Sequence, residues 1–175
     1  IGMFVNTLTL RTEVSAHTSF EALLGSVRET DLQAFAHADV PFERLVEVLD
    51  PPRSTARHPL FQVGFSFQNV AAAALELPDL TVSAAELDAG VAQFDLHLFL
   101  TDRYDEHGAA TGIDGAFVFA TDLFDEATVQ RFADRFVRIL DTVAVDSQRT
   151  IGDIDVFLPG ERNRMLETWN STATP

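Results

Sequence analysis

Leu60-Phe61-Gln62-Val63-Gly64-Phe65-Ser66-Phe67-Gln68-Asn69 is the stretch that decides the fold class. Phe61, Val63, Phe65 and Phe67 occupy one set of alternate positions. Gln62, Gly64, Ser66 and Gln68 occupy the other. Successive side chains of an extended chain point to opposite faces, so a period of two marks a strand. One face of this strand is greasy and the other is small and polar. A strand needs neighbours for its backbone, and the flanking sequence is read for them.

On the C-terminal side, residues 70–93 are alanine-rich and weakly patterned, with one short strand placed around Leu80 to Val82. Phe94, Leu96, Leu98 and Leu100 open a further strand. Asp105 to Gly112 reads as a turn, with Gly108 and Gly112 as its flexible points. Ile113, Gly115, Phe117 and Phe119 then share a strand face, which predicts a hairpin. Asp122 or Asp125 caps a long helix whose stripe is Val129, Phe132, Phe136, Ile139, Leu140 and Val143. Arg131, Arg135 and Arg138 are expected on its solvated side. Ile154 to Leu158 is strand-like, and Pro159 to Trp169 is a short last helix.

On the N-terminal side, Met3, Val5 and Thr7 alternate with Phe4, Asn6 and Leu8, which predicts a strand from the first residues. A start inside a strand reads as a cut in a longer chain. Thr18 and Ser19 are capping residues for a helix carrying Phe20, Leu23, Leu24 and Val27, extended by Leu32 and Phe35 after a break at Asp31. Pro41 suits a first helical turn. Phe42, Leu45, Val46 and Leu49 form a second helix, ended by Pro51 and Pro52. Strands and helices are mixed in order, so the class is α/β or α+β, a mixed sheet covered by helices.

Composition narrows the function. The 175 residues hold 15 Phe but one Tyr and one Trp, and phenylalanine marks dry surface. The net charge of −15 would repel a phosphate backbone, so nucleic acid is not the partner. There is no cysteine, hence no disulfide and no thiolate metal site. No apolar run approaches the ~20 residues that span a bilayer, and no signal peptide opens the chain. A soluble, cytoplasmic protein that touches no membrane is expected.

Ordinary catalytic motifs are missing. His17, His37, His58, His97 and His107 contain no pair within one helical turn, so no helical zinc pair is expected. Gly64-Phe65-Ser66-Phe67-Gln68 lacks the second glycine of a nucleophile elbow and lies inside a strand. Asp125 and Glu126 sit at a helix start, where the dipole favours negative charge over acid–base work.

Three stretches resemble core motifs of the condensation domains of nonribosomal peptide synthetases. Ile1-Gly2-Met3-Phe4-Val5-Asn6-Thr7, with Arg11 after it, is similar to I-G-x-F-V-N-T. His37-Ala38-Asp39-Val40-Pro41-Phe42-Glu43 is similar to H-Q-D-x-P-F-E. Arg53-Ser54-Thr55-Ala56-Arg57-His58-Pro59-Leu60 is similar to R-D-x-S-R-x-P-L. Ala38, Ser54 and Ala56 depart from those patterns, which puts local hydrogen bonding in doubt. Phe94-Asp95-Leu96 and Thr121-Asp122-Leu123-Phe124 continue in the family's manner. Trp169-Asn170-Ser171-Thr172-Ala173-Thr174-Pro175 is similar to the junction into an adenylation domain. The family's catalytic H-H-x-x-x-D-G is absent.

The resemblance implies the C-terminal lobe of a chloramphenicol acetyltransferase-like fold over residues 1–168, with 169–175 as linker. It implies amide formation between two thioesters carried on phosphopantetheine arms, and inactivity of this portion alone. The implied partners are donor and acceptor carrier proteins, the missing N-terminal lobe and a downstream adenylation domain. No cofactor or metal is expected on the chain itself. Residues 70–93 are expected to reach across to the missing lobe. Asn6 and Asn69 are candidates to face the substrate tunnel and bond a pantetheine amide or a substrate carbonyl; the alternative is that each satisfies a buried backbone group. Ser66 and Gln68 lie on the strand face that admits a ligand near the backbone, or simply meets water. Asp39 and Pro41 start a helix. Arg57 pairs with a buried carboxylate or, alternatively, with a phosphopantetheine phosphate. His97 is read as a satisfied mid-strand histidine. The competing functions are a non-catalytic member of the fold that recruits tailoring enzymes and a coenzyme A-dependent acyltransferase.

Overall fold

The structure, a computed structural model, describes residues 5–52, 54, 57–68, 90–105 and 107–172. The chain forms two compact units, Ile1–Arg53 with Glu126–Pro175, and Ser54–Asp125. The expected strand at Leu80 to Val82 and the expected reach of residues 70–93 lie outside the described residues.

The first unit is helical. Residues 5–8 form no strand, against the expectation from the alternation of Met3 to Leu8. A strand is defined by its partner, and the described residues offer these none. Helix α1, Phe20–Ala36, starts where Ser19 is extended and its hydroxyl accepts the Ala22 N–H at 3.2 Å. It runs through Asp31 without the expected break, since one aspartate costs a helix only a fraction of a kcal/mol, at most about 0.7. Helix α2, Phe42–Leu49, follows Pro41 and ends at Asp50, which is left-handed at φ 39°. Pro51 disfavours the right-handed helical region for the residue before it, so the helix must stop there.

Helix α3, Glu126–Val145, carries the packed stripe. Val129 and Val143 are each 5% exposed, and Ile154 is 9% exposed. Phe132, Phe136 and Ile139 are half-buried, while Leu140 stays exposed. The arginines depart from expectation, because two of them reach the segment that follows the helix. Arg135 Nη2 donates to both carboxylate oxygens of Glu161, at 2.7 and 2.8 Å. Arg138 donates to the Asp155 carbonyl at 2.7 Å and to its carboxylate at 3.0 Å. Ile154 to Leu158 is therefore not a strand. A single 3₁₀ turn, Ile151–Asp153, precedes it. The Phe157 N–H then goes to the Asp155 carboxylate and the Leu158 N–H to Glu161, so side chains take the bonds a ladder would use. The expected last helix is one turn, α4, Glu161–Asn163, widening into a π-helical turn over Arg164–Thr168.

The start of α1 is laced to the loop after α3. Phe20 N–H bonds the Arg149 carbonyl at 3.0 Å and Glu21 N–H the Ser147 carbonyl at 2.9 Å. In return Ile151 N–H bonds the Thr18 carbonyl and Gly152 N–H the Ala16 carbonyl, both at 2.9 Å. The Glu21 carboxylate accepts from Ser147 Oγ and Gln148 Nε2. The Phe20 and Glu21 N–H bonds satisfy donors that a helix start leaves open.

The second unit is a mixed sheet of three described strands in the order β1-β2-β3: β1 is Val63–Gln68, β2 Leu96–Tyr104 and β3 Ala110–Phe119. β1 runs parallel to β2, with Gly64 beside His97 and Ser66 beside Phe99. β2 and β3 form the expected antiparallel hairpin, with His97 beside Val118. Asp105 makes the turn, its carboxylate accepting the N–H groups of His107 at 2.9 Å and Ala109 at 2.8 Å. Gly108 supplies the positive φ of 78° that the turn needs.

The two faces of β1 are packed the opposite way from their greasy and polar character. Val63 and Phe65 are 63% and 62% exposed, while Gly64 is buried and Ser66 half-buried. The missing side chain at residue 64 makes room on the packed face. A Cβ there would lie 2.6 Å from Cδ2 of Phe94 and 3.0 Å from Cγ of His97. Two rings occupy the space a side chain would fill.

Two predictions follow from this packing. Gly64→Ala should lower unfolding free energy by about 1–3 kcal/mol, the usual cost of overpacking; an unchanged urea midpoint would show that Phe94 swings aside freely. The second concerns acid. The Leu158 N–H and the Arg135 guanidinium hold Glu161 below its ordinary 4.5, and the Phe157 N–H and Arg138 hold Asp155 below its ordinary 3.8. A carboxylate depressed in the folded state stabilises above its unfolded pKa and loses that stabilisation as pH falls through the folded value. Glu161→Gln should therefore flatten the fall in melting temperature below about pH 4.5, and an unaltered acid slope would remove Glu161 from that role.

Candidate functional site

The polar face of β1 meets β2 in an aromatic row. His58 and Phe61 have ring centroids 4.1 Å apart, Phe61 and Phe94 5.2 Å, Phe94 and His97 5.3 Å, and His97 and Phe99 3.9 Å. The His97–Phe99 pair is stacked and the Phe94–His97 pair meets edge to face. Within this row Ser66 Oγ lies 2.9 Å from Nε2 of His97. Burial lowers the His97 pKa below its ordinary 6.5, so the ring is neutral at pH 7. The result is a hydroxyl and a neutral imidazole held together between two phenyl rings.

Of the residues singled out from the sequence, Ser66 belongs to this row and Gln68 follows it on the same strand, exposed. Asn69 lies outside the described residues. Arg57 is exposed, and no ion pair of the described residues includes it.

Asn6, in the other unit, has a defined job. Its Nδ2 donates to the Ala38 carbonyl at 2.9 Å and to the Val40 carbonyl at 2.8 Å. Its Oδ1 accepts the Thr7 N–H at 2.9 Å. Both N–H donors are thus committed to the loop that leads through exposed Asp39 to Pro41 and α2. Asn6 ties the first of the quoted motifs to the second.

His97 is the satisfied mid-strand histidine expected from the sequence, and its partner is Ser66. Alternation through Phe94, Leu96 and Leu98 places His97 on the opposite face of β2. What alternation does not state is that β2 lies parallel to β1 with Gly64 at its side, which brings His97 to Ser66.

Comparison with known proteins gives the frame. The family model described as "Condensation domain" matches residues 1–166. A dimodular nonribosomal peptide synthase of Bacillus subtilis (strain 168) is 43% identical over 173 residues, which are 99% of this chain and 7% of that protein. The crystal structure of the X-domain from teicoplanin biosynthesis superposes with a TM-score of 0.77 at 38% identity, over 85% of this chain and 33% of that one. A complex of the X-domain and OxyB from teicoplanin biosynthesis superposes with a TM-score of 0.73 at 39% identity, over 85% and 32%. The chain thus spans a small part of the relatives it matches. Among the described residues no helix is long and apolar enough to cross a membrane. With its mixed sheet, its helices and a match over 166 residues, the chain belongs to the condensation-domain family of nonribosomal peptide synthetases.

Proposed function

We propose that this chain supplies one wall of a site that joins two carrier-bound thioesters into an amide. The observation that carries the reading is the family match over residues 1–166, joined to the absence of adjacent histidines from all 175 residues. The H-H-x-x-x-D-G motif of the resemblance then belongs to another part of the parent protein, and this chain alone is inactive. The upstream acyl thioester is attacked by the amine of the downstream aminoacyl thioester; a C–N bond forms and a thiol leaves. The chain's contribution is positioning, which holds two tethered reactants at reacting distance. Ser66, Gln68 and Asn69 face the substrate in this reading. Asn6, Asp39 and Pro41 act at one remove, through the loop that Asn6 clasps. Arg57 is exposed, which leaves it able to meet the phosphate of a pantetheine arm.

The partners in this reading are donor and acceptor carrier proteins, the N-terminal lobe and an adenylation domain beyond residues 169–175, all in the cytoplasm. Phosphopantetheine arrives on the carriers. A second reading has a specific support: the X-domain structures are 38% and 39% identical to this chain, and one of them is a complex with OxyB. A non-catalytic role in recruiting a partner enzyme would use the same fold.

The test is amide formation between two loaded carrier proteins. The complete domain should give product and this chain none; product from this chain alone would overturn the reading. A complete domain that makes no amide but retains a tailoring enzyme would favour recruitment. In the complete domain, Asn69→Ala should lower turnover about tenfold, the equivalent of one lost hydrogen bond of ~1.4 kcal/mol; equal turnover would remove Asn69 from the site. The chain's charge of −15 opposes long-range attraction to an acidic carrier protein. Binding measured by calorimetry should therefore hold or strengthen as salt rises from about 50 mM to 500 mM, because salt screens repulsion as it screens attraction. A steep loss with salt would contradict a docking surface that is mainly apolar.

A further inference from the structure

We propose that Ser66 and His97 form a nucleophile–base pair that takes acyl groups from activated esters and thioesters onto the serine. The inference is separate from amide formation, because the acceptor is a side chain of this chain and no carrier protein is needed.

The geometry meets the requirement for such a pair. Ser66 Oγ is 2.9 Å from His97 Nε2, within the reach that lets a base take a hydroxyl proton. A nucleophile elbow would expose its serine at a turn; here the base comes from the neighbouring strand instead, 31 positions along the chain. Both side chains are half-buried, open enough for a small acyl donor and sheltered enough to hold their bond. A catalytic triad orients its imidazole with a carboxylate. This ring is held by Phe99, stacked on it at 3.9 Å, and by the edge of Phe94 at 5.3 Å.

The surroundings keep the ring basic in kind but uncharged. On the same face β1 presents Gly64, Ser66 and Gln68, and β3 presents Val118 and Ala116 in register with His97 and Phe99. Asp114 lies further along that face, beside Thr101, and is paired with Arg103 at 3.3 Å. His58 lies against Phe94, at 5.4 Å between ring centroids. Desolvation is the cause that lowers the His97 pKa, and it leaves the neutral form that accepts a proton.

The step balances without an outside oxidant or reductant. Ser66 Oγ attacks the acyl carbon, a C–O bond forms, and the hydroxyl proton passes to His97 Nε2. The C–S bond of a thioester, or the C–O bond of an ester, breaks, and the leaving group takes that proton. Water then attacks the acyl-serine with His97 again as base, releasing a carboxylic acid and restoring Ser66. A triad lacking its carboxylate is slower by about 10⁴-fold, so the acyl-serine should persist long enough to be detected.

The experiment treats the whole chain with p-nitrophenyl acetate and, separately, with the acetyl thioester of N-acetylcysteamine. Peptide mass spectrometry locates the adduct. The background is low, since all 12 basic residues are arginines and no lysine competes. One acetyl group is expected on Ser66, at a rate that rises with pH as the His97 imidazole loses its proton, below the ordinary 6.5 of a histidine. Ser66→Ala should abolish that adduct. His97→Gln should slow it by about 100-fold or more, the usual contribution of a positioned base. No adduct at Ser66, or an equal rate in His97→Gln, overturns the proposal. Should either variant unfold by circular dichroism, the unaltered chain still decides: acetylation of Ser66 at a pH-independent rate would exclude the histidine as base.

Discussion

Much of the sheet unit depends on one absent side chain. Gly64 leaves β1 bare at the point where the rings of Phe94 and His97 cross it, with only 2.6 Å between an added Cβ and the nearer ring carbon. That vacancy lets β2 present aromatic groups to the polar side of β1. It also places Ser66, two residues on, beside the imidazole. A strand of alternating phenylalanines would ordinarily be expected to bury them. Here Val63 and Phe65 stay open, and the glycine–serine face takes the packing.

The helical unit is held in a different way. Few of its apolar side chains are fully buried, with Val129, Val143 and Ile154 the core among the described residues. Much of its definition comes from polar groups that bind backbone. Asn6 spans the carbonyls of Ala38 and Val40, Ser19 caps α1, and Arg138 reaches the carbonyl of Asp155. Arg135 and Glu161, with side chains 29% and 17% exposed, are the best sheltered ion pair among the described residues. Exposed ion pairs contribute little, so the clasp from α3 to the C-terminal segment rests more on this pair than on the more exposed Arg138–Asp155.

Some elements were legible in sequence because one local rule governs them. Ser19 as a cap, Pro51 as a stop and the stripe of α3 each depend on residues within a few positions, as does the turn at Asp105, expected to run to Gly112 but giving way to β3 at Ala110. The errors came where a distant partner decides. The alternation from Met3 to Leu8 reads as a strand, yet residues 5–8 form none among the described residues, where no neighbouring strand pairs with them. Arg135 and Arg138 sit on the polar side of a helix wheel yet are taken up by Glu161 and Asp155, 26 and 17 positions on. Ile154 to Leu158 has strand composition, but the N–H groups of Phe157 and Leu158 are claimed by Asp155 and Glu161.

By itself the sequence determined the family, through three ordered motifs, and the mixture of strands and helices, through two periods of hydrophobic alternation. Those are properties of order along the chain. The tertiary structure alone decided which face of β1 is packed and which histidine stands beside Ser66. Alternation says that side chains divide between two faces, but not which face a neighbouring strand will cover. That choice was made by the parallel register of β1 and β2, which sets Gly64 against His97 and gives the rings the room that no other residue would leave.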